Sequence, residues 1–270
     1  MSDAFTTIRY ARDGEIGNLI LARPNKRNAQ NPRMWEELAQ LGAELAGDES
    51  LRCLVVGGDG PTFSAGIDLV EGMAGLVAGL AEQTEDDDAR AAGRRVAGTF
   101  NWIPQLGCAS VAAVRGHAYG AGLQLALACD FRVLAKGTKV GLVEMRFGIL
   151  PDMGATFRLP RIVGESHARE LILLGKIIDA DEALRIGLAN QVVDDAELDA
   201  AAAELAGRLA AQPPLAVRGA RRAIDAAWDH GSEQSFNVAL EEQARCLASE
   251  DFREAGRAAA EGRSPRWRGR

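Results

Sequence analysis

The stretch Ser110-Val111-Ala112-Ala113-Val114-Arg115-Gly116-His117-Ala118-Tyr119-Gly120-Ala121-Gly122-Leu123-Gln124 begins as an apolar run, turns through three glycines and continues into the apolar residues 125–128. Residues 110–114 lack polar alternation and read as a strand buried on both faces, while residues 123–128 read as an apolar helix. The same order occurs upstream. Residues 51–56, apolar but for Arg52, end in Gly57-Gly58-Asp59-Gly60-Pro61-Thr62-Phe63-Ser64-Ala65-Gly66-Ile67-Asp68. Strand, glycine loop and helix in that order, twice, predict an α/β fold.

Working outward, residues 5–12 and 16–22 are expected to form a hairpin turning at Asp13-Gly14. Asn31 followed by Pro32 reads as a helix start, with Glu36 and Glu37 in the first turn and Met34, Leu38, Leu41 and Leu45 on one apolar face. Shorter strands are expected at 131–134, 140–142 and 189–193. From Pro151 the pattern becomes mostly helical, with Asp179 and Glu182 as a capping box and Ser232 as a later cap. Residues 1–200 are therefore expected to form the core and residues 201–270 a helical layer. The Gly/Ala-rich stretch 69–81, which leads to acidic residues at 85–88, reads as a mobile surface segment.

The 270 residues carry 31 Lys and Arg against 38 Asp and Glu, a net charge of −7. That balance describes an ordinary globule and disfavours nucleic acid as a partner. Four widely spaced cysteines without a C-x-x-C pair suggest neither a disulfide framework nor a zinc ribbon, and fit a reducing cytoplasm. No apolar run reaches membrane-spanning length, and the first 17 residues carry charges where a secretion signal would be apolar. The chain is thus expected neither to cross a membrane nor to be exported. His117, His167 and His230 are scattered, and no cluster has metal-ligand spacing, so no metal is expected.

Each glycine loop presents backbone N–H groups where a strand passes into a helix, a natural seat for negative charge. Ser64 is not the nucleophile of a G-x-S-x-G elbow, because Thr62 stands where the first glycine is required. The second loop is not a dinucleotide fingerprint, because no third glycine follows Gly122 at the required spacing. Arg23, Lys26, Arg27 and Arg33 form a cationic patch without an interspersed acid. The last 18 residues hold six Arg against two Glu, reversing the overall sign.

Three motifs in order make the whole chain resemble the crotonase superfamily, the enoyl-CoA hydratases and isomerases. They are residues 23–29 (Arg-Pro-Asn-Lys-Arg-Asn-Ala), residues 63–68 with 116–130, and residues 250–255 (Glu-Asp-Phe-Arg-Glu-Ala). The resemblance implies a spiral of ββα units with a helical C-terminal region that packs trimers, often paired into hexamers. It implies an acyl-CoA substrate, with coenzyme A arriving as part of that substrate and no separate cofactor. Two backbone N–H groups, carried over as those of Ala65 and Ala121, would hold the thioester oxygen as charge develops on it. Residues Arg23, Lys26, Arg27, Ala29, Ser64, Gly66, Ile67, Asp68 and Gly120 would surround the thioester and its nucleotide.

In hydratases resembling this chain, two glutamates hold and deprotonate water. Here the first of those positions is Gln124, an amide that exchanges no proton at neutral pH. The second is Glu144, an acid among apolar residues, whose pKa burial would raise toward neutrality. Asp152 reads either as a helix cap after Pro151 or as the second carboxylate found in dienoyl-CoA isomerases. Double-bond isomerisation by Glu144 is the first expectation. Hydration helped by Asp152 or by a Gln124-held water, and a non-catalytic acyl-CoA- or RNA-binding role, are the alternatives.

Overall fold

The computed structural model describes residues 5–72 and 96–270, so most of the expected mobile segment lies outside the described residues. Strands β1 (Ile8–Asp13) and β2 (Ile16–Leu21) form the expected hairpin, with Asp13 paired to Ile16 and the turn falling on Gly14-Glu15. Helix α1 (Pro32–Leu45) starts where Asn31 predicts, its side chain accepting the Met34 N–H at 3.0 Å. Met34, Leu38, Leu41 and Leu45 all point into the core.

Beyond α1 come β3 (Cys53–Gly58), the short helix α2 (Trp102–Gln105), β4 (Ala109–Val114), β5 (His117–Tyr119) and α3 (Ala121–Ala128). Next are β6 (Phe131–Ala135), β7 (Lys139–Gly141), α4 (Ala155–Leu173), β8 (Ile177–Asp179), α5 (Ala180–Arg185) and β9 (Gln191–Val193). The chain closes with α6 (Leu198–Ala210), α7 (Pro214–Asp229), α8 (Ser232–Ala248) and α9 (Glu250–Glu261).

Among the described residues the strands form two sheets, a larger one in the order β1-β2-β3-β4-β6-β9 and a smaller one in the order β5-β7-β8. From β2 through β9 the larger sheet is parallel, which explains the apolar runs of its central strands β3 and β4. Leu54, Val56, Ala112 and Val114 face the main core, while Cys53, Val55, Ala109, Val111 and Ala113 face α6. Helix α6 presents Leu198, Ala202 and Ala206 along one stripe, and its small side chains let it lie close on the sheet. The boundary expected after residue 200 falls inside this helix.

Helices α7 and α8 pack against each other, and Arg221 of α7 ties them to the core by donating to Asp130 Oδ1 at 3.0 Å. Ser232 is not the cap of α8. It is the first helical residue, and Gly231 precedes it without a side-chain bond. The arginine-rich tail is folded back, because Arg268 and Gly269 donate their backbone N–H groups to Asp251 and Arg263 pairs with Glu254. Outer faces of α7, α8 and α9 carry exposed Trp228, Phe236, Leu240 and Phe252. Among the described residues no helix is long and apolar enough to cross a membrane.

Candidate active site

Residues 63–68 run between two neighbouring segments. On one side Ser64 donates its N–H to the His117 carbonyl at 3.0 Å and accepts from the Tyr119 N–H at 3.1 Å. On the other, Gln30 donates to the Gly66 carbonyl and Asp68 donates to the Gln30 carbonyl, each at 2.7 Å. In such a parallel bridge Gly66 and Asp68 turn their peptide groups toward Gln30, so the intervening Ile67 turns its N–H away. That N–H meets no acceptor among the described residues. At Gly66 a Cβ would stand 2.7 Å from the Tyr119 carbonyl oxygen and 3.8 Å from the Ala121 nitrogen, so only glycine lets the two loops meet here.

This pairing corrects one expectation. The Ala65 N–H already donates to the Arg27 carbonyl at 2.9 Å and is not available to a thioester oxygen. Ile67, two residues on, carries the free N–H of this loop. Ala121 opens α3, where the first N–H groups have no intrahelical acceptor, and its N–H likewise meets none among the described residues.

Glu144 sits in a 3-10 turn after β7 and is 5 % exposed. Its Oε1 accepts from Gln124 Nε2 at 2.8 Å, while its Oε2 is buried without a partner among the described residues. The Gln124 carbonyl oxygen accepts the Ala155 N–H at 3.2 Å, which fixes the amide with its nitrogen toward Glu144. Gly120 leaves room for the carboxyl, since a Cβ there would stand 3.3 Å from Oε1. Burial pushes the Glu144 pKa up to about 7, against the pull of its own backbone N–H and of the Gln124 hydrogen bond and with a further upward push from the Asp152 charge. A carboxyl poised near neutrality can both take and return a proton.

Asp152 caps no helix. Gly154 occupies the cap position of α4 and no side chain bonds there, because the turn Asp152–Gly154 separates Asp152 from the first helical residue. Although Asp152 is exposed, partial burial of its carboxyl raises its pKa. Its charge is felt at Glu144, so the two acids share one neighbourhood.

A family model described as enoyl-CoA hydratase/isomerase matches residues 12–270. The chain belongs to the enoyl-CoA hydratase/isomerase family. It is 32 % identical to the crotonyl-CoA hydratase of Syntrophomonas wolfei over 93 % of this chain and 94 % of that one. It is 35 % identical to the carnitinyl-CoA dehydratase of Escherichia coli O157:H7 over 98 % and 99 % of the two chains. The solved enoyl-CoA hydratase of Bacillus anthracis superposes with a TM-score of 0.88 at 30 % identity, covering 98 % of this chain and all of that one. The fold is the crotonase fold and the protein is a crotonase-type enzyme.

Several residues expected to bind the substrate of this hydratase/isomerase-family enzyme have side chains that hold its loops together. Ser64 is fully buried, donating its hydroxyl to the Asn28 carbonyl at 2.8 Å and accepting the Gly66 N–H at 3.2 Å. Asp68 accepts from Val70, Glu71 and Arg23. Arg23 also bonds the Ala29 carbonyl and Glu71, and Arg33 pairs with Glu36 and Glu37, so the patch is not free of acids. Lys26 and Arg27 are exposed and form no ion pair among the described residues. Asn28, which sequence reasoning did not assign, is the buried joint of the loop. Its side chain accepts from the Arg23 N–H and donates to the Asp59 and Thr62 carbonyls, with the backbone at φ 52°. An Asn at the end of a cationic turn was the available signal, because Asn tolerates the left-handed region. No group of three or more His, Cys, Asp or Glu among the described residues could hold a metal.

Proposed function

We propose that this enzyme shifts a double bond in an enoyl-CoA thioester with Glu144 as the single proton carrier. The observation behind this reading is the fixed Gln124 amide, which leaves one partnerless carboxyl oxygen, Glu144 Oε2, at the meeting of the two loops. The Glu144 carboxylate takes a proton from the α-carbon of a 3-enoyl thioester. The electron pair left behind delocalises onto the thioester oxygen, which the Ile67 and Ala121 N–H groups receive. Glu144, now a carboxylic acid, returns the proton to the γ-carbon and leaves the 2-enoyl thioester. Loss of one such N–H donor costs roughly 3 to 4 kcal/mol in other enzymes. Lys26 and Arg27 meet the nucleotide phosphates of coenzyme A, and the steps use no other cofactor.

Hydration and dehydration are the second reading. The hydratase and dehydratase names of the relatives favour it, as does the Asp152 carboxyl near Glu144. Incubation with 2-enoyl-, 3-enoyl- and 3-hydroxyacyl-CoA, with products resolved by mass and absorbance, decides between them. Hydration adds one water to the mass and isomerisation adds none. The isomerase reading expects interconversion of 2- and 3-enoyl thioesters to outrun water addition. The exposed apolar faces of α7 to α9 support self-association as a trimer or hexamer, which light scattering at micromolar concentration checks.

A further inference from the structure

Arg158, one turn into α4, is a half-buried cation that forms no ion pair among the described residues. It bonds two neutral acceptors instead. Its Nη1 donates to the Met153 carbonyl at 3.2 Å, its Nη2 donates to Asn101 Oδ1 at 2.6 Å, and its guanidinium lies 4.7 Å from the Phe157 ring centre. At Gly154 a Cβ would fall 1.9 Å from Nη1, so the guanidinium fills the space a side chain there would need. The turn it grips leads directly into Ala155, whose N–H sets the Gln124 amide, which in turn holds Glu144.

We propose that Arg158 is a positioning residue for the proton carrier, clamping Met153 to Asn101 so that the Ala155 N–H reaches Gln124 and the Gln124 amide reaches Glu144. This rests on the reading of Glu144 as the proton carrier. The path is contiguous, each link being a hydrogen bond or a peptide unit, and a cation removed from water in favour of two neutral acceptors gains its value through the geometry it fixes. Charged and titratable groups felt at Arg158 are Cys129, Arg161 and Asp225, and the one felt at Glu144 is Asp152. Lysine cannot span both acceptors, because it lacks the planar fork.

The test measures kcat, KM and the pH dependence of kcat on the best enoyl-CoA found, for Arg158→Met, Arg158→Lys, Asn101→Ala and Glu144→Gln, with folding checked by circular dichroism. Arg158→Met is expected to lower kcat about tenfold or more while KM moves less than about threefold. Its acid limb is expected to move to higher pH, because a loosened Gln124 no longer favours the carboxylate. Arg158→Lys keeps the charge and should still show the shift, and Asn101→Ala should show a smaller one of the same sign even where Arg158→Met fails to fold. A wild-type limb in both Asn101→Ala and Arg158→Lys would overturn the proposal, as would a kcat loss without a shifted limb in folded Arg158→Met. If Glu144→Gln retains wild-type turnover, the underlying reading fails. If Glu144→Gln is inactive and the limb stays fixed in the other variants, only the role of Arg158 fails.

Discussion

Glu37 and Glu144 are the same side chain, 1 % and 5 % exposed, and yet they stand at opposite ends of the carboxylate range. Burial acts upward on both. At Glu37, where α1 meets the first strand, hydrogen bonds from the N–H and hydroxyl groups of Thr6 and Thr7, with the Ile8 N–H beside them, reverse that push and leave the pKa at about 2. At Glu144 only its own backbone N–H and the Gln124 amide favour the carboxylate, Oε2 has no hydrogen-bond partner among the described residues, and burial prevails at about 7. The number of donors, together with the stronger desolvation of the Glu144 carboxyl, sets the two apart. The first glycine loop and its neighbours make the same point, since Ser64, Asp68, Asn28 and Arg23 are all bonded inward while Ile67 and Ala121 keep free N–H groups.

The contrast breaks most visibly in stability. Glu37→Gln should lower the folding free energy by roughly 3 kcal/mol at pH 7, because an amide cannot accept from all six donors, the Arg33 guanidinium included. The Glu37 pKa is depressed on folding, so its contribution is fully present above about 4.5 and is lost as pH falls toward about 2. Denaturant melts of wild type and variant should therefore converge in acid. Glu144→Gln should do the reverse. Its pKa is raised on folding, so the ionised side chain burdens the native state as pH rises through about 7, and the neutral amide should stabilise the protein by up to roughly 3 kcal/mol at pH 8. Equal effects of the two substitutions at pH 8 would erase the distinction.

A third substitution sharpens the comparison inside the site. Gln124→Glu would place a second carboxyl 2.8 Å from Glu144 Oε1, where the pair must share a proton. Product ratios should then move toward water addition by about tenfold. The smallest effect is expected at the edge of the cationic loop, where Lys26→Ala should raise KM for the thioester by about two- to threefold and leave kcat unchanged.

What the sequence disclosed and what it hid follow from the range of the interactions. Asn31 and Asp179 cap their helices as expected, because each accepts an N–H three residues away. The strands β3 and β4 announced themselves by apolar runs that both faces of a parallel sheet require. Three-residue strands β5 and β8 gave no periodicity to read. The choice between Ala65 and Ile67 as donor hinges on which peptide groups residues 27–30 engage, a pairing across more than 30 positions. Arg23 looked unopposed because its acids, Asp68 and Glu71, lie 45 and 48 residues downstream. Asp152 lost its capping role to Gly154, a glycine in the left-handed region that residue propensity alone ranks below Asp.

The central claim is that Glu144 alone carries the proton, and isotope exchange at the substrate carbon examines it without requiring knowledge of the full reaction. The enzyme is incubated in heavy water with a saturated and an unsaturated acyl-CoA, and deuterium uptake at the α- and γ-carbons of the acyl chain is followed by mass spectrometry. The wild type should exchange with an apparent pKa near 7, while Glu144→Gln should bind the thioester as before and exchange at least about 10²-fold more slowly. Exchange by Glu144→Gln at the wild-type rate would contradict the account and pass the role of proton carrier to Asp152.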